Sequence, residues 1–187
     1  MQTKGFTIIE TLVAIAVIML AIVGPLTIAN KGLVAAISAR DQVTANYLAQ
    51  DALEYLKNIR DNNLLAAVDW MRGINESGMC EYSSSVPANS KSCFIETATV
   101  GNLPEVCPGA VSDCGHLYYN ESTKSYTHAH PAGTVATPFT RYYQVDMKNT
   151  SGTDYDDARV EVVVTWKTGT VVNKLSVKNN FFKVLRY

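Results

Sequence analysis

Glu10 is the only charged residue between Phe6 and Ala29. A carboxylate set among apolar side chains is costly in lipid and calls for a cationic partner. Lys4 and Gly5 stand directly before this run. A second set able to do chemistry is Cys80, Cys93, Cys107 and Cys114. Four cysteines permit three disulfide connectivities. Cys80–Cys93 and Cys107–Cys114 each close a short local loop, and such a bridge contributes about 3 kcal/mol. The alternative is a metal site, but no C-x-x-C pair is present, which disfavours structural zinc. His116, His128 and His130 are the only histidines. His128-x-His130 would touch a metal only if a strand put both rings on one face; solvated loop histidines are the plainer expectation. There is no H-E-x-x-H, phosphate loop or G-x-S-x-G, so no catalytic set is expected.

These groups are positioned by a chain whose hydropathy changes character three times. Phe6 to Ala29, as a helix of about 1.5 Å rise per residue, would be roughly 36 Å long. That suffices to cross a hydrocarbon core of about 30 Å. The run is too long for the core of a cleaved secretory signal. Lys4 on the short side predicts a cytoplasmic N-terminus, with everything beyond Ala29 outside the inner membrane. The cysteines then lie in an oxidising compartment. Gly24-Pro25 predicts a kink or a local loosening of the helix.

From Asn30 to Leu65 the pattern stays helical. Leu33, Ile37, Val43, Tyr47, Leu48, Leu53, Leu56 and Ile59 recur mostly on one broad face. Ala35, Ala36, Ala39, Ala45, Ala49 and Ala52 are good helix formers. A disturbance is expected at Gly32, and an end at Asp61-Asn62-Asn63. Residues 66–138 form an irregular, cysteine-bearing region with short strands at Phe94-Ile95 and Leu117-Tyr118-Tyr119. Residues 139–187 predict an antiparallel sheet. Its strands are Arg141–Met147, Ala158–Lys167 and Val171–Val177, with Phe181–Leu185 a fourth strand or a continuation. Val160, Val162, Val164 and Trp166 share one face. The fold class is α+β.

Gly5-Phe6-Thr7-Ile8-Ile9-Glu10-Thr11-Leu12-Val13-Ala14-Ile15 resembles the processing motif of the type IV pilin and pseudopilin superfamily. That family has a short basic leader ending in Gly, which a prepilin peptidase removes; the new terminal residue, often Phe, is N-methylated. The resemblance implies a leader of residues 1–5, cleavage between Gly5 and Phe6, and Glu10 at the family's hallmark fifth position. It implies a transmembrane helix over 6–29, continued by an amphipathic helix over 30–65, beneath a head: a pilin-like lollipop. It also implies that Glu10 pairs with the Phe6 amine of a neighbouring subunit, which would set axial register. Ala45 to Asn63 is similar to the second half of the long helix in minor pilins and pseudopilins of the I/V type. Some pseudopilins hold calcium in a loop near the C-terminal sheet, which draws attention to Asp154, Asp156 and Asp157. The run lacks EF-hand spacing, so a solvated turn fits it better.

With 16 Lys and Arg against 17 Asp and Glu, the net charge of -1 leaves no nucleic-acid footprint. The implied partners are other pilin or pseudopilin subunits, the prepilin peptidase/methyltransferase, an inner-membrane assembly platform and membrane lipid, with no cofactor. The expected function is structural, as a minor pilin or pseudopilin of a type IV pilus or type II secretion-like filament. The alternatives are a major pilin, or a membrane-tethered adhesin or DNA-uptake pilin whose loops hold a ligand. Tyr118-Tyr119 and Tyr142-Tyr143 suit either a binding surface or sheet packing.

Overall fold

The computed structural model describes residues 5, 7–82, 90–99, 101–107, 115–148 and 156–183. Phe6, Cys114, Asp154 and Leu185 lie outside the described residues. The chain divides into two compact units, 1–41 and 42–187.

Apart from Gly5 and Thr7, the described part of the first unit is helix. α1, Ile8–Leu65, begins beside Thr7, whose Oγ1 accepts the Glu10 N–H at 3.4 Å. This is the backbone half of a Thr-x-x-Glu capping box. The helix is assigned without a break through Gly24, Pro25 and Gly32, so neither expected disturbance ends it. Near Pro25 the Thr27 hydroxyl donates to the Val23 carbonyl at 2.8 Å. Every side chain from Ile8 to Ile37 is exposed. One helix is thus long and apolar enough to span a membrane, near the N-terminus.

In the second unit, the Gln42–Leu65 part of α1 packs on an antiparallel sheet. The buried positions are Ala45, Leu48, Ala49, Ala52, Leu53 and Leu56, a strict three-and-one spacing. Val43 and Tyr47, expected on the buried face, are exposed instead. The alanines take their place, because side chains this small let the helix backbone come close to the strands. The helix ends at Leu65, the bound expected for the amphipathic segment and two residues past the Asp61-Asn62-Asn63 end signal. Asn63 Nδ2 then donates to the Trp70 and Arg72 carbonyls at 3.3 and 2.8 Å. This folds the following segment back, so that Trp70, Met71 and Ile74 join the core.

Among the described residues the sheet has seven strands: β1 Cys93–Phe94, β2 Glu105–Val106, β3 His116–Asn120, β4 Ser125–Thr127, β5 Thr134–Lys148, β6 Asp157–Thr168 and β7 Val171–Phe182. β5 is the hub, pairing with β1, β3 and β6; β2 extends from β1, β4 from β3 and β7 from β6. All these pairings are antiparallel. Val160, Val162, Val164 and Trp166 face the core, as their alternation predicts. Val163, on the opposite face, is buried as well, between Tyr142 and Ser176 in the sheet register. Phe181 continues β7 and is fully buried rather than starting a fourth strand.

In the 66–138 stretch the short strands expected near Phe94-Ile95 and Leu117-Tyr118-Tyr119 are present as β1 and β3, whereas β2, β4 and the early start of β5 were not expected. Strands of two to five residues carry too few alternations to register as a period. What orders them is pairing with β5. The Cys80–Cys93 disulfide, with a Cα–Cα distance of 5.4 Å, sits fully buried beside it. Cys80 accepts the Val145 N–H at 2.8 Å through its carbonyl, and Cys93 is in register with Tyr143. Cys107 is also disulfide-bonded.

Gly115 shows how tightly this stretch is set. Its φ is +80°, its carbonyl accepts the Arg141 N–H at 2.8 Å, and an added Cβ would lie 2.0 Å from the Arg141 carbonyl oxygen. Gly133 has a similar φ of +87° but open space around the same position. Gly115→Ala is therefore expected to cost about 3 kcal/mol, strain plus a backbone clash. Gly133→Ala should cost only about 1 kcal/mol, the conformational part alone. Urea unfolding of the full chain in detergent measures both, and equal costs would refute the close-approach explanation.

Candidate functional site

The helical candidate is the start of α1. Gly5 and Glu10 are exposed, Phe6 lies outside the described residues, and the apolar surface that follows is exposed among the described residues. A helix that is apolar all round requires lipid or other apolar helices as its surroundings. Lys31 is the next charge after Glu10. The arrangement is one acid in the first turn of a long apolar helix.

The second candidate lies in the head. Arg141 is placed by β5 on the core-facing register shared by Phe139, Tyr143 and Val145. Its guanidinium is 1% exposed and donates to Asp51 Oδ2 at 2.9 Å, the Leu48 carbonyl at 3.1 Å, the Ile95 carbonyl at 3.0 Å and Thr97 Oγ1 at 3.1 Å. The Thr97 hydroxyl donates to the same Asp51 Oδ2 at 2.5 Å. Burial pushes the guanidinium below the usual arginine range, while Asp51 and Glu96 pull it back. One cation thereby ties α1, β5 and the Ile95–Thr97 segment together. Sequence reasoning missed this pin. The available signal was an arginine at an inward position of a strand that otherwise alternates cleanly, which marks a buried partner.

Above the pin a groove of about 430 Å³ opens between α1 and the β3–β4 hairpin. Tyr47 and Asp51 line it from the helix, Thr97 from its floor segment, and Lys124, Ser125 and Tyr126 from the hairpin. Lys124 holds a φ of +56°, in the left-handed region that L-residues seldom occupy.

The three histidines separate. His128 rests on Phe94 with ring centroids 5.2 Å apart, whereas His116 and His130 flank Tyr118 at 4.9 and 4.3 Å. His128 and His130 therefore do not converge on one point. Among the described residues no three His, Cys, Asp or Glu side chains gather as metal ligands. Asp157 pairs in register with Lys148 and Phe182 at the start of β6, and Asp156 accepts the Lys183 N–H at 2.9 Å through its carbonyl. Of the two tyrosine pairs, Tyr143 is buried, and its hydroxyl donates to the Ile74 carbonyl at 2.9 Å. Burial raises that phenol well above the ordinary tyrosine value. Tyr119 packs on Tyr126 at 5.1 Å.

His128 gives the head a pH dependence. Among the described residues neither ring nitrogen makes a well-formed hydrogen bond. Burial, then the charge of Arg141, lower its pKa from 6.5 to about 4, against the opposing pull of Glu96 and the backbone of His116 and Ile95. The folded state thus holds this ring neutral where the unfolded chain protonates it. Stability should decline as pH falls from about 6.5 towards 4, with a loss approaching 3 kcal/mol. Glu96 acts in a lower window. Burial raises its pKa, but bonds from Thr127 and from the Ala98 and His128 N–H groups outweigh this and leave it lowered from 4.5. Its contribution is present above that value and lost below it. His128→Phe, which keeps the stacking on Phe94, should flatten the upper window. Denaturant titrations at pH 7 and 5 check this, and an unchanged slope would count against the assignment.

The comparisons with known protein families, curated proteins and solved structures give no match for this chain. A long apolar N-terminal helix whose distal part covers an antiparallel sheet is a pilin-like architecture.

Proposed function

We propose that this chain is a structural subunit, a minor pilin or pseudopilin, of a type IV pilus or type II secretion-like filament. The observation that carries the reading is the sequence Gly5-Phe6-Thr7-Ile8-Ile9-Glu10 leading into a 58-residue helix whose apolar first half is exposed among the described residues. In this reading a prepilin peptidase cuts after Gly5 and methylates Phe6. The helix is held first by inner-membrane lipid, with its N-terminus cytoplasmic, and later by the helices of other subunits at an assembly platform. Glu10 meets the Phe6 amine of a neighbour, where each charge removes the other's desolvation cost. The head, with its buried disulfide, faces outward.

Mass spectrometry of the N-terminus in sheared filaments tests the reading. The expected species begins at methylated Phe6. Assembled material that retains Met1 would overturn the processing step. The abundance of the subunit in the same material separates a minor from a major pilin.

A further inference from the structure

The groove between α1 and the β3–β4 hairpin plays no part in filament assembly as proposed, and all its lining residues belong to the 42–187 unit. Its volume of about 430 Å³ lies in the range of small-ligand sites. Tyr47 is 69% exposed on α1, an unusual place to leave a large aromatic face. Asp51 follows four residues later on the same helical face. Tyr126 supplies a second aromatic wall and Ser125 a hydroxyl, while the Thr97 hydroxyl is engaged by Asp51 and Arg141.

The carboxylate in this groove is already oriented. Arg141 and Thr97 both hold Asp51 through Oδ2, while its side chain remains 53% exposed, which leaves Oδ1 to accept from a ligand. Such preorganisation lowers the ordering cost of binding. Lys124 stands at the rim with its backbone in a sparsely populated conformation, the kind that collects at ligand sites.

Aromatic faces beside a fixed carboxylate and a neighbouring hydroxyl match one ligand chemistry well. A pyranose ring offers an apolar C–H face for stacking and a rim of hydroxyls that donate and accept. A metal ion would need more oxygen ligands than one carboxylate and neutral groups provide here. A phosphate would need more than the single cation Lys124, with Asp51 repelling it. We propose that the groove binds a neutral sugar residue, stacked on Tyr47 and hydrogen-bonded to Asp51.

The test uses the full chain in lipid nanodiscs, free of sugar detergents, with isotope-labelled tyrosine rings followed by NMR. The probes are methyl β-glucoside, methyl β-galactoside and N-acetylglucosamine, each titrated to about 50 mM, since single-sugar affinities of millimolar order are expected. Saturable shifts of the Tyr47 and Tyr126 signals with at least one probe are expected, weakened roughly tenfold in Tyr47→Ala and retained in Tyr47→Phe. No saturable shift with any probe overturns the proposal. So does binding unchanged in Tyr47→Ala, or equal binding of cyclohexanol, which marks a merely apolar groove. A Tyr47→Ala chain that fails to enter filaments while the wild type shows no sugar response would make Tyr47 a subunit contact instead. Because these titrations use unassembled protein, they succeed or fail apart from the filament reading.

Discussion

Arg141→Ala is expected to destabilise the 42–187 unit by about 3–4 kcal/mol, a large part of the stability of an ordinary domain. The side chain is 1% exposed and makes four hydrogen bonds, so truncation removes them together and leaves a cavity. The Ile95 carbonyl and Thr97 lose a buried donor. Asp51 suffers less than a buried acid would, because its half-exposed side chain can be hydrated. The loss therefore falls mainly on the connection of α1 to the Ile95–Thr97 segment. Arg141→Lys should recover only part of it, since an ammonium cannot match a planar fork that reaches acceptors on opposite sides. Urea unfolding of both variants in the full chain is the measurement. A cost below about 1 kcal/mol for Arg141→Ala would remove the pin from the account of this fold.

Glu10→Gln should leave the chain in the membrane and lower its entry into filaments by tenfold or more. The choice of glutamine separates two roles for this residue. Glu10 sits three residues after Thr7, with its N–H on the Thr7 hydroxyl. A capping-box position accepts Gln as readily as Glu, and its loss matters by about 1 kcal/mol at most. Pairing with a neighbour's amine needs the negative charge, because a neutral amide leaves a cation unpaired in an apolar bundle. If Glu10→Gln assembles normally and Glu10→Ala does not, capping is the role and the charge-pairing proposal fails. Membrane fractionation and quantitation of sheared filaments supply both readouts.

Both variants concern charges in apolar surroundings, yet only one was conspicuous before folding. Glu10 stands out because its neighbours in sequence are its apolar environment. Arg141 does not, because its partners Asp51, Ile95 and Thr97 come from distant parts of the chain. The same contrast separates the long helix, legible from length and periodicity, from β1 to β4, which owe their order to pairing with β5. It also explains the inverted roles of Tyr47 and the alanines. Periodicity marks which residues share a face, but which arc of that face meets the sheet depends on how closely the backbones approach.

The membrane-length helix, the α+β class, the inward face of β6 and the motif around Glu10 were legible in the chain before folding, because all are properties of consecutive residues. It took folding to make Arg141 a pin within the 42–187 unit, to set Ala45, Ala49 and Ala52 in the contact surface of α1, and to bring Tyr47, Asp51 and Tyr126 to one groove. The reason is physical. Local patterns arise from the geometry of a single helix or strand, whereas a buried charge and a groove exist only where separate segments bring their side chains together.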